Sequence, residues 1–172
     1  AKNLNLKKEK SIYLETLPVF STDSKKIANK LKFLDVQNIK SIMNISSTLA
    51  TINYERFKAI NSKSNFKKAA SFLFSGDTFN GLSVRTMKKN DLSYAQKNLR
   101  ILSGLYGILK PLDLIEPYRL EMGTKTNNII GKDLYSFWKN KITNHLNSEI
   151  RKNKSNFLFN LASKEYFSVI NP

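Results

Sequence analysis

No cysteine occurs among the 172 residues, which removes disulfides, thiolate metal sites and cysteine nucleophiles together and accords with a reducing compartment. Histidine occurs once, at His145, so a histidine-rich metal centre is excluded. No stretch approaches the roughly eighteen uninterrupted apolar residues a membrane helix needs, and Ala1-Lys2-Asn3-Leu4 lacks a signal peptide's apolar middle. A soluble, cytoplasmic protein without membrane contact is expected. The phosphate loop G-x-x-x-x-G-K-[ST], the dinucleotide fingerprint G-x-G-x-x-G, the nucleophile elbow G-x-S-x-G and the zincin H-E-x-x-H are all missing. That excludes the common nucleotide-hydrolysing and hydrolase readings. Fixed-period repeats, low-complexity tracts and long linkers are missing too.

Acidic residues are scarce: 13 against 29 lysines and arginines, a formal net charge of +16. Such a balance favours polyanionic partners, DNA or RNA first among them. Asparagine and isoleucine are abundant as well, and their codons share the A/T richness of lysine codons, so genome composition offers a second account of the charge. The length suits one domain with a real core.

Apolar spacing predicts helices over most of residues 21–61. Ser21-Thr22-Asp23 can cap the first, with Ile27, Leu31 and Leu34 on one face; Asp35 the second, with Val36, Ile39 and Met43; Ser46-Ser47 the third, with Leu49, Ile52, Arg56 and Ile60. Ala69 to Phe74 reads as a short strand. Asp91 can cap a helix carrying Leu92, Ala95, Leu99 and Leu102, closed by Gly104. Leu105 to Leu109 and Tyr118 to Met122 read as extended pieces between prolines 111 and 117. Asp133 opens the strongest helical pattern, through Leu134, Phe137, Trp138, Ile142, His145, Leu146 and Ile150. Asn156 to Leu161 returns to a strand pattern. Short strands with several amphipathic helices give a mixed α/β (α+β) single domain over 1–172.

Few residues carry obvious chemistry. His145 lies on the apolar face of its helix, where a satisfied imidazole is the ordinary reading and a ligand or base the rarer one. Asp77, Asp113, Glu116 and Glu121 could in principle hold Mg²⁺, but their spacing does not select them, and no metal or cofactor is expected. Ser103-Gly104-Leu105-Tyr106-Gly107, followed by Lys110, partly resembles a helix-hairpin-helix turn, whose glycines bring N–H donors to a phosphate. A tight turn from a helix into a strand accounts for it equally. In Pro117-Tyr118-Arg119-Leu120-Glu121-Met122-Gly123 the alternation puts Arg119 beside Glu121 on one face, as a structural ion pair or part of an anion site. Ser75 to Gly81 reads as a polar loop after a strand, and Ser163, Glu165 and Tyr166 follow another strand end, where helix capping by Ser163 with Glu165 nearby is the ordinary account.

In order along nearly the whole chain, these segments resemble the YaaA family of peroxide-stress resistance proteins. The resemblance rests on Ile45-Ser46-Ser47 with Leu49, Ala50 and Asn53, on Phe74 to Leu82, on Leu102 to Asp113, on Pro117 to Gly123, on Gly131 to Trp138 and on Asn160 to Phe167. The start looks like that family's Ser-Pro-Ala-Lys-x-Leu opening without its first strand and Ser-Pro. The resemblance implies a fold particular to the family, a basic cleft, a helix-hairpin-helix-like element, DNA binding with little sequence preference, and a role in limiting iron-linked oxidative damage. Phe79 departs from the tyrosine common in the family's Gly-Asp-x-Tyr loop, so hydroxyl chemistry there is not carried over.

Binding rather than turnover is therefore the leading expectation, by a monomer, with contacts from Lys2, Ser103, Gly104, Tyr106, Gly107, Lys110, Arg119, Lys125 and Lys132. The alternative is an enzyme acting on a small or nucleotide-like substrate, with Asp77, Arg119, Glu121, Ser163 and Glu165 in its site. The resemblance also implies chain on both sides of residues 1–172, so the segment alone is expected to fold marginally or aggregate. Urea unfolding of residues 1–172 tests this: a broad or irreversible transition is expected, and a sharp, reversible, two-state one overturns it.

Overall fold

Three helices start where a side-chain oxygen takes up a backbone donor that a first turn leaves unpaired. The computed structural model describes residues 3–9 and 13–170. In it Asp35 accepts from Asn38 N–H (2.7 Å), Ser46 from Leu49 N–H (3.3 Å) and Asp133 from Ser136 N–H (2.6 Å). These open α2 (Val36–Met43), α3 (Ser47–Ala59) and α7 (Leu134–Lys152), while α1 (Ser21–Leu31) precedes them. The cap expected at Ser21-Thr22-Asp23 is not one: these residues lie inside α1, and Asp23 instead binds Lys141 Nζ at 2.7 Å, joining α1 to α7. In α3 the buried face is Ala50, Asn53 and Phe57, continued by Ile60, while Leu49 and Ile52 stay about 40% exposed. Leu49, Ile52 and Arg56 of the expected stripe are thus one residue, about 100°, out of phase, while Ile60 is buried as expected.

The remaining elements are short: β1 (Asn3–Leu4), β2 (Lys68–Ala69), α4 (Ala70–Leu73), β3 (Phe74–Ser75), α5 (Asp77–Leu82), a 3-10 turn (Val84–Thr86), α6 (Lys89–Asn98), β4 (Ile101–Ser103), β5 (Gly107–Leu109), β6 (Leu114–Ile115) and α8 (Lys164–Phe167). The strands make three antiparallel pairs, β1 with β3, β2 with β6 and β4 with β5. This is a mixed α/β fold. Its main core runs from α1, α2 and α3 through β4 and β5 to α7; a smaller cluster of Ala69, Phe72, Val84, Leu92 and Leu112 lies beside it.

Several expectations change. The run Ala69 to Phe74 is not one strand but a buried helical turn between two ladders, held by Ala70 N–H to Asp113 O (2.9 Å) and by Ser71, whose N–H and hydroxyl both reach Pro111 O. Ser75 to Gly81 is not a loop: after Gly76, at φ +112°, it coils into α5. Asp91 does not begin α6 but sits in its first turn, its carboxylate accepting from Lys88 N–H at 2.9 Å. Gly104 does not close that helix, because the chain is already extended at Leu99 and enters β4. Among the described residues Asn156 to Leu161 joins no strand pair, and Phe157, Phe159 and Leu161 are 75 to 84% exposed. Tyr118 to Met122 keeps the expected alternation, with Tyr118, Leu120 and Met122 buried.

Between β4 and β5 the glycine turn is held from all sides. Trp138, fully buried, donates its indole N–H to Gly104 O (2.9 Å). A Cβ on Gly104 would collide with Leu120 O, and one on Gly107, at φ +72°, would lie 2.7 Å from the Trp138 ring. Gly104→Ala and Gly107→Ala should therefore each cost about 1–3 kcal/mol or more, read as a fall in the urea midpoint followed by circular dichroism. Gly81→Ala, with open space around it inside α5, should instead stabilise by about 0.5–1 kcal/mol.

Candidate functional site

The extended segment from Tyr118 to Met122 turns its polar side chains away from the core. Arg119 and Glu121, 14% and 22% exposed, approach to 3.7 Å. The Nε of Arg119 is buried and without a hydrogen-bond partner among the described residues. Helix α8 brings up the next groups. Glu165 Oε1 accepts from Gly123 N–H (2.9 Å), and the Tyr135 hydroxyl donates to Glu165 O (2.9 Å). Burial raises the Tyr166 phenol well above its ordinary value, and the carboxylates of Glu165 and Glu121 raise it further. Burial likewise raises Tyr118, whose hydroxyl shares a 2.6 Å hydrogen bond with Ser103 Oγ.

Of the five residues expected in a small-molecule site, Arg119 and Glu121 adjoin, and Glu165 is tied to the end of their segment through Gly123. Asp77 is exposed on the first turn of α5, which reaches Tyr118 only through rings: Phe79 on Phe74 at 5.2 Å, and Phe74 edge-on to Tyr118 at 6.1 Å. Ser163 precedes α8 and makes no capping bond. Tyr135 was not among the expected site residues, and Tyr166, noted beside Ser163 and Glu165, was given no role in the site.

Among the residues expected to touch phosphate, Lys2 lies outside the described residues. Ser103, Gly104, Tyr106 and Gly107 are all interior. The Tyr106 N–H donates to Ser103 Oγ (2.8 Å), and the Tyr106 hydroxyl accepts from Glu116 N–H (3.1 Å). The element is a β-hairpin, with Ser103 opposite Gly107, and not a helix-hairpin-helix turn: it is buried, and the Tyr106 N–H, a donor of the kind a phosphate would need, is taken up by Ser103 Oγ. Lys125 and Lys132 are exposed. Lys110 Nζ stands 3.6 Å from Glu149.

Glu149 is the centre of a second polar cluster. Arg100 binds it through two 2.7 Å hydrogen bonds, and His145 Nε2 lies 3.4 Å away. Arg100, Lys110 and His145 hold the Glu149 carboxyl below its usual range, against the opposing effect of burial. Asp113 alongside is buried, which raises its pKa; Thr16 Oγ1 (2.6 Å) and Lys110 N–H (2.8 Å) bond both its oxygens. Glu116 accepts from Asn61 N–H and Asn65 Nδ2 (both 2.8 Å). Among the described residues no three metal-ligating side chains gather.

A recess of about 280 Å³ on another side is lined by Lys8, Glu9, Phe66, Lys67 and Lys68. Lys68 is buried there, its Nζ donating to Lys7 O (2.9 Å) and paired with Glu9 at 3.2 Å. Lys67 is half exposed, 3.9 Å from Glu116, and Lys8 is exposed. None of these lysines stood out in the sequence, where they are three among many.

A family model described as "Peroxide stress protein YaaA" matches residues 1–172. The chain belongs to the YaaA family. It is 44% identical over 174 residues to a UPF0246 protein of Polynucleobacter necessarius, covering 100% of this chain and 67% of that protein. A UPF0246 protein of Burkholderia thailandensis is 43% identical over 177 residues, covering 100% of this chain and 68% of its own length. The chain thus spans about two thirds of the length of these relatives. In this YaaA-family chain Phe79 packs its ring on Phe74, partly buried against the core. No helix among the described residues is long and apolar enough to cross a membrane.

His145 generates a pH prediction. Burial lowers its pKa below the ordinary 6.5, and Arg100, Lys110 and Lys152 lower it further, against the opposing pull of Glu149; the Phe20 ring meets it edge-on. The unfolded chain then takes up the proton first, so stability is full above about pH 6.5 and falls as the pH drops below it. Unfolding midpoints measured from about pH 7.5 to pH 5 should show that decline, and His145→Gln should flatten it.

Proposed function

We propose that this chain binds nucleic acid through its phosphates, with little sequence preference, as a cytoplasmic part of the peroxide-stress response for which its family is named. The observation that carries the reading is the lysine-lined recess beside Phe66, where Lys8 and Lys67 stand at the rim and Lys7 is exposed next to them. Lys125 and Lys132 add exposed positive charge elsewhere. Arg119 and Lys110 each lie beside a carboxylate, which weakens their claim on a phosphate; Lys67 shares this in part, at 3.9 Å from Glu116, and Lys8 does not among the described residues. The buried glycine turn has no role in this reading beyond supporting the fold. A net charge of +16 steers a polyanion toward the surface, and low specificity accords with contacts made mainly through lysines, which bind phosphate as point charges.

Binding of a labelled duplex across a salt series tests the proposal. The logarithm of the association constant should fall linearly with the logarithm of salt, and Lys8→Ala with Lys67→Ala should reduce the slope by about 0.9 for each phosphate no longer neutralised. A flat salt dependence overturns phosphate binding. An unchanged slope in the double variant moves the binding surface away from the recess.

A further inference from the structure

A strand of nucleic acid offers two chemistries, charged phosphates and flat bases, and the lysine recess has a counterpart for each. Its volume of about 280 Å³ lies just under the range of about 300–1,000 Å³ that small-molecule sites span, room for one nucleotide but not for a base pair with its backbones. Phe66 lines it, half-buried against the main core and half open. Lys67, next in the chain, and Lys8 stand at the rim, both exposed. An aromatic face with ammonium groups around it is the arrangement that stacks a base and meets its phosphates.

The walls of the recess are fixed by their own contacts. Lys68 is buried, and its Nζ reaches Lys7 O (2.9 Å), Asn5 O (3.4 Å) and Glu9 Oε1 (3.2 Å). Three donors thus meet three acceptors, so Lys68 holds the segment from Asn5 to Glu9 and leaves the ligand to its neighbours. Arg85 closes on the same Glu9 oxygen through Nε (3.1 Å) and a terminal nitrogen (2.9 Å). Glu9 is the one carboxylate among the residues lining the recess, and with two cations on it its repulsion of a phosphate is offset. Lys67 lies 3.9 Å from Glu116, longer than a hydrogen bond, with 49% of its side chain exposed. On the opposite strand side, Lys68 pairs with Ile115 in the β2–β6 ladder, which anchors Phe66 and Lys67 just before it. A rim ordered before binding loses little conformational freedom when a strand arrives.

We propose that the recess takes one unpaired nucleotide of a single strand, its base on the Phe66 ring and its flanking phosphates on Lys8 and Lys67. This rests on the recess being the nucleic-acid surface and adds which state of the nucleic acid it selects. In a duplex each base is paired and stacked between its neighbours, so a duplex reaches the rim lysines and leaves the ring without a partner. A single strand meets both. Every base has a π-face, so stacking separates unpaired from paired nucleotides with little regard to sequence, in keeping with low specificity.

Fluorescence anisotropy tests it with three labelled probes of equal length: a single-stranded oligothymidylate, an abasic strand carrying the same phosphates, and a duplex. The oligothymidylate should bind about tenfold more tightly than either of the others, the order of effect that one stacked base supplies. Phe66→Leu keeps an apolar side chain against the core; it should bring the oligothymidylate down to the affinity of the abasic strand, with the salt slope and duplex binding at parent values. Equal affinity of the parent protein for the oligothymidylate and the abasic strand overturns the stacked base, and this comparison needs no variant. Parent-like oligothymidylate binding in Phe66→Leu, at an unchanged unfolding midpoint, overturns the role of the ring. Free dTMP that displaces the oligothymidylate at equal nucleotide concentration overturns the strand in favour of a mononucleotide. A salt dependence that is flat for all three probes instead overturns phosphate binding, the reading beneath this one, and is distinct from each of these results.

Discussion

The contact between the Trp138 indole and the Ser103–Gly107 turn is the constraint on which the rest of the structure depends. One ring face lies where a side chain on Gly107 would be, the indole N–H bonds Gly104 O, and Phe20 and Phe137 pack around the same ring. Through it α7, the β4–β5 hairpin and the start of α1 become one body. Tyr118 and Tyr106 extend this body from the hairpin, the first through Ser103 Oγ and the second through Glu116 N–H. Arg119 and Glu121 alternate with residues fixed in this way, so their outward placement follows from the interior packing.

Few acids and many bases shape the surface as well as the overall charge. Asp35, Asp91 and Asp133 stabilise helix starts; Asp113 and Glu116 receive backbone donors from distant segments; Asp23 and Glu149 join elements through cations. Each is tied to the architecture, which leaves exposed lysines such as Lys7, Lys8 and Lys125 without a salt bridge among the described residues. The excess of base is therefore felt more strongly outside than composition alone suggests, whatever its evolutionary origin. Glu165 stands out against this pattern as an acid anchored in place and still open to solvent.

Helices with a capping acid or serine followed by an apolar stripe were legible, because both signals are local: α2 and α7 start where Asp35 and Asp133 indicate. The phase of α3 was not. Leu49 and Ile52 are as apolar as any core residue, and only the position of the neighbouring helices selects Ala50 and Phe57 instead. The alternation in Tyr118 to Met122 was readable at once, and so was the Arg119–Glu121 neighbourhood. Glu165 was grouped with these two in the small-molecule alternative, but the contact that brings it to the end of their segment was out of reach, since nothing in sequence spacing relates residue 123 to residue 165.

The sequence by itself determined the class of structure, the family, the positive charge and the helix starts, because composition, motif order and capping are properties of neighbouring residues. Tertiary structure alone decided the meaning of the glycine turn. The same five residues could offer N–H donors to a phosphate or close a strand pair, and what selects the second is Trp138, more than thirty residues away, filling the space beside them. It also decided which cations are free to act, because a lysine becomes neutralised or available according to whether folding brings a carboxylate to it. Such encounters depend on long-range packing, which local sequence does not encode.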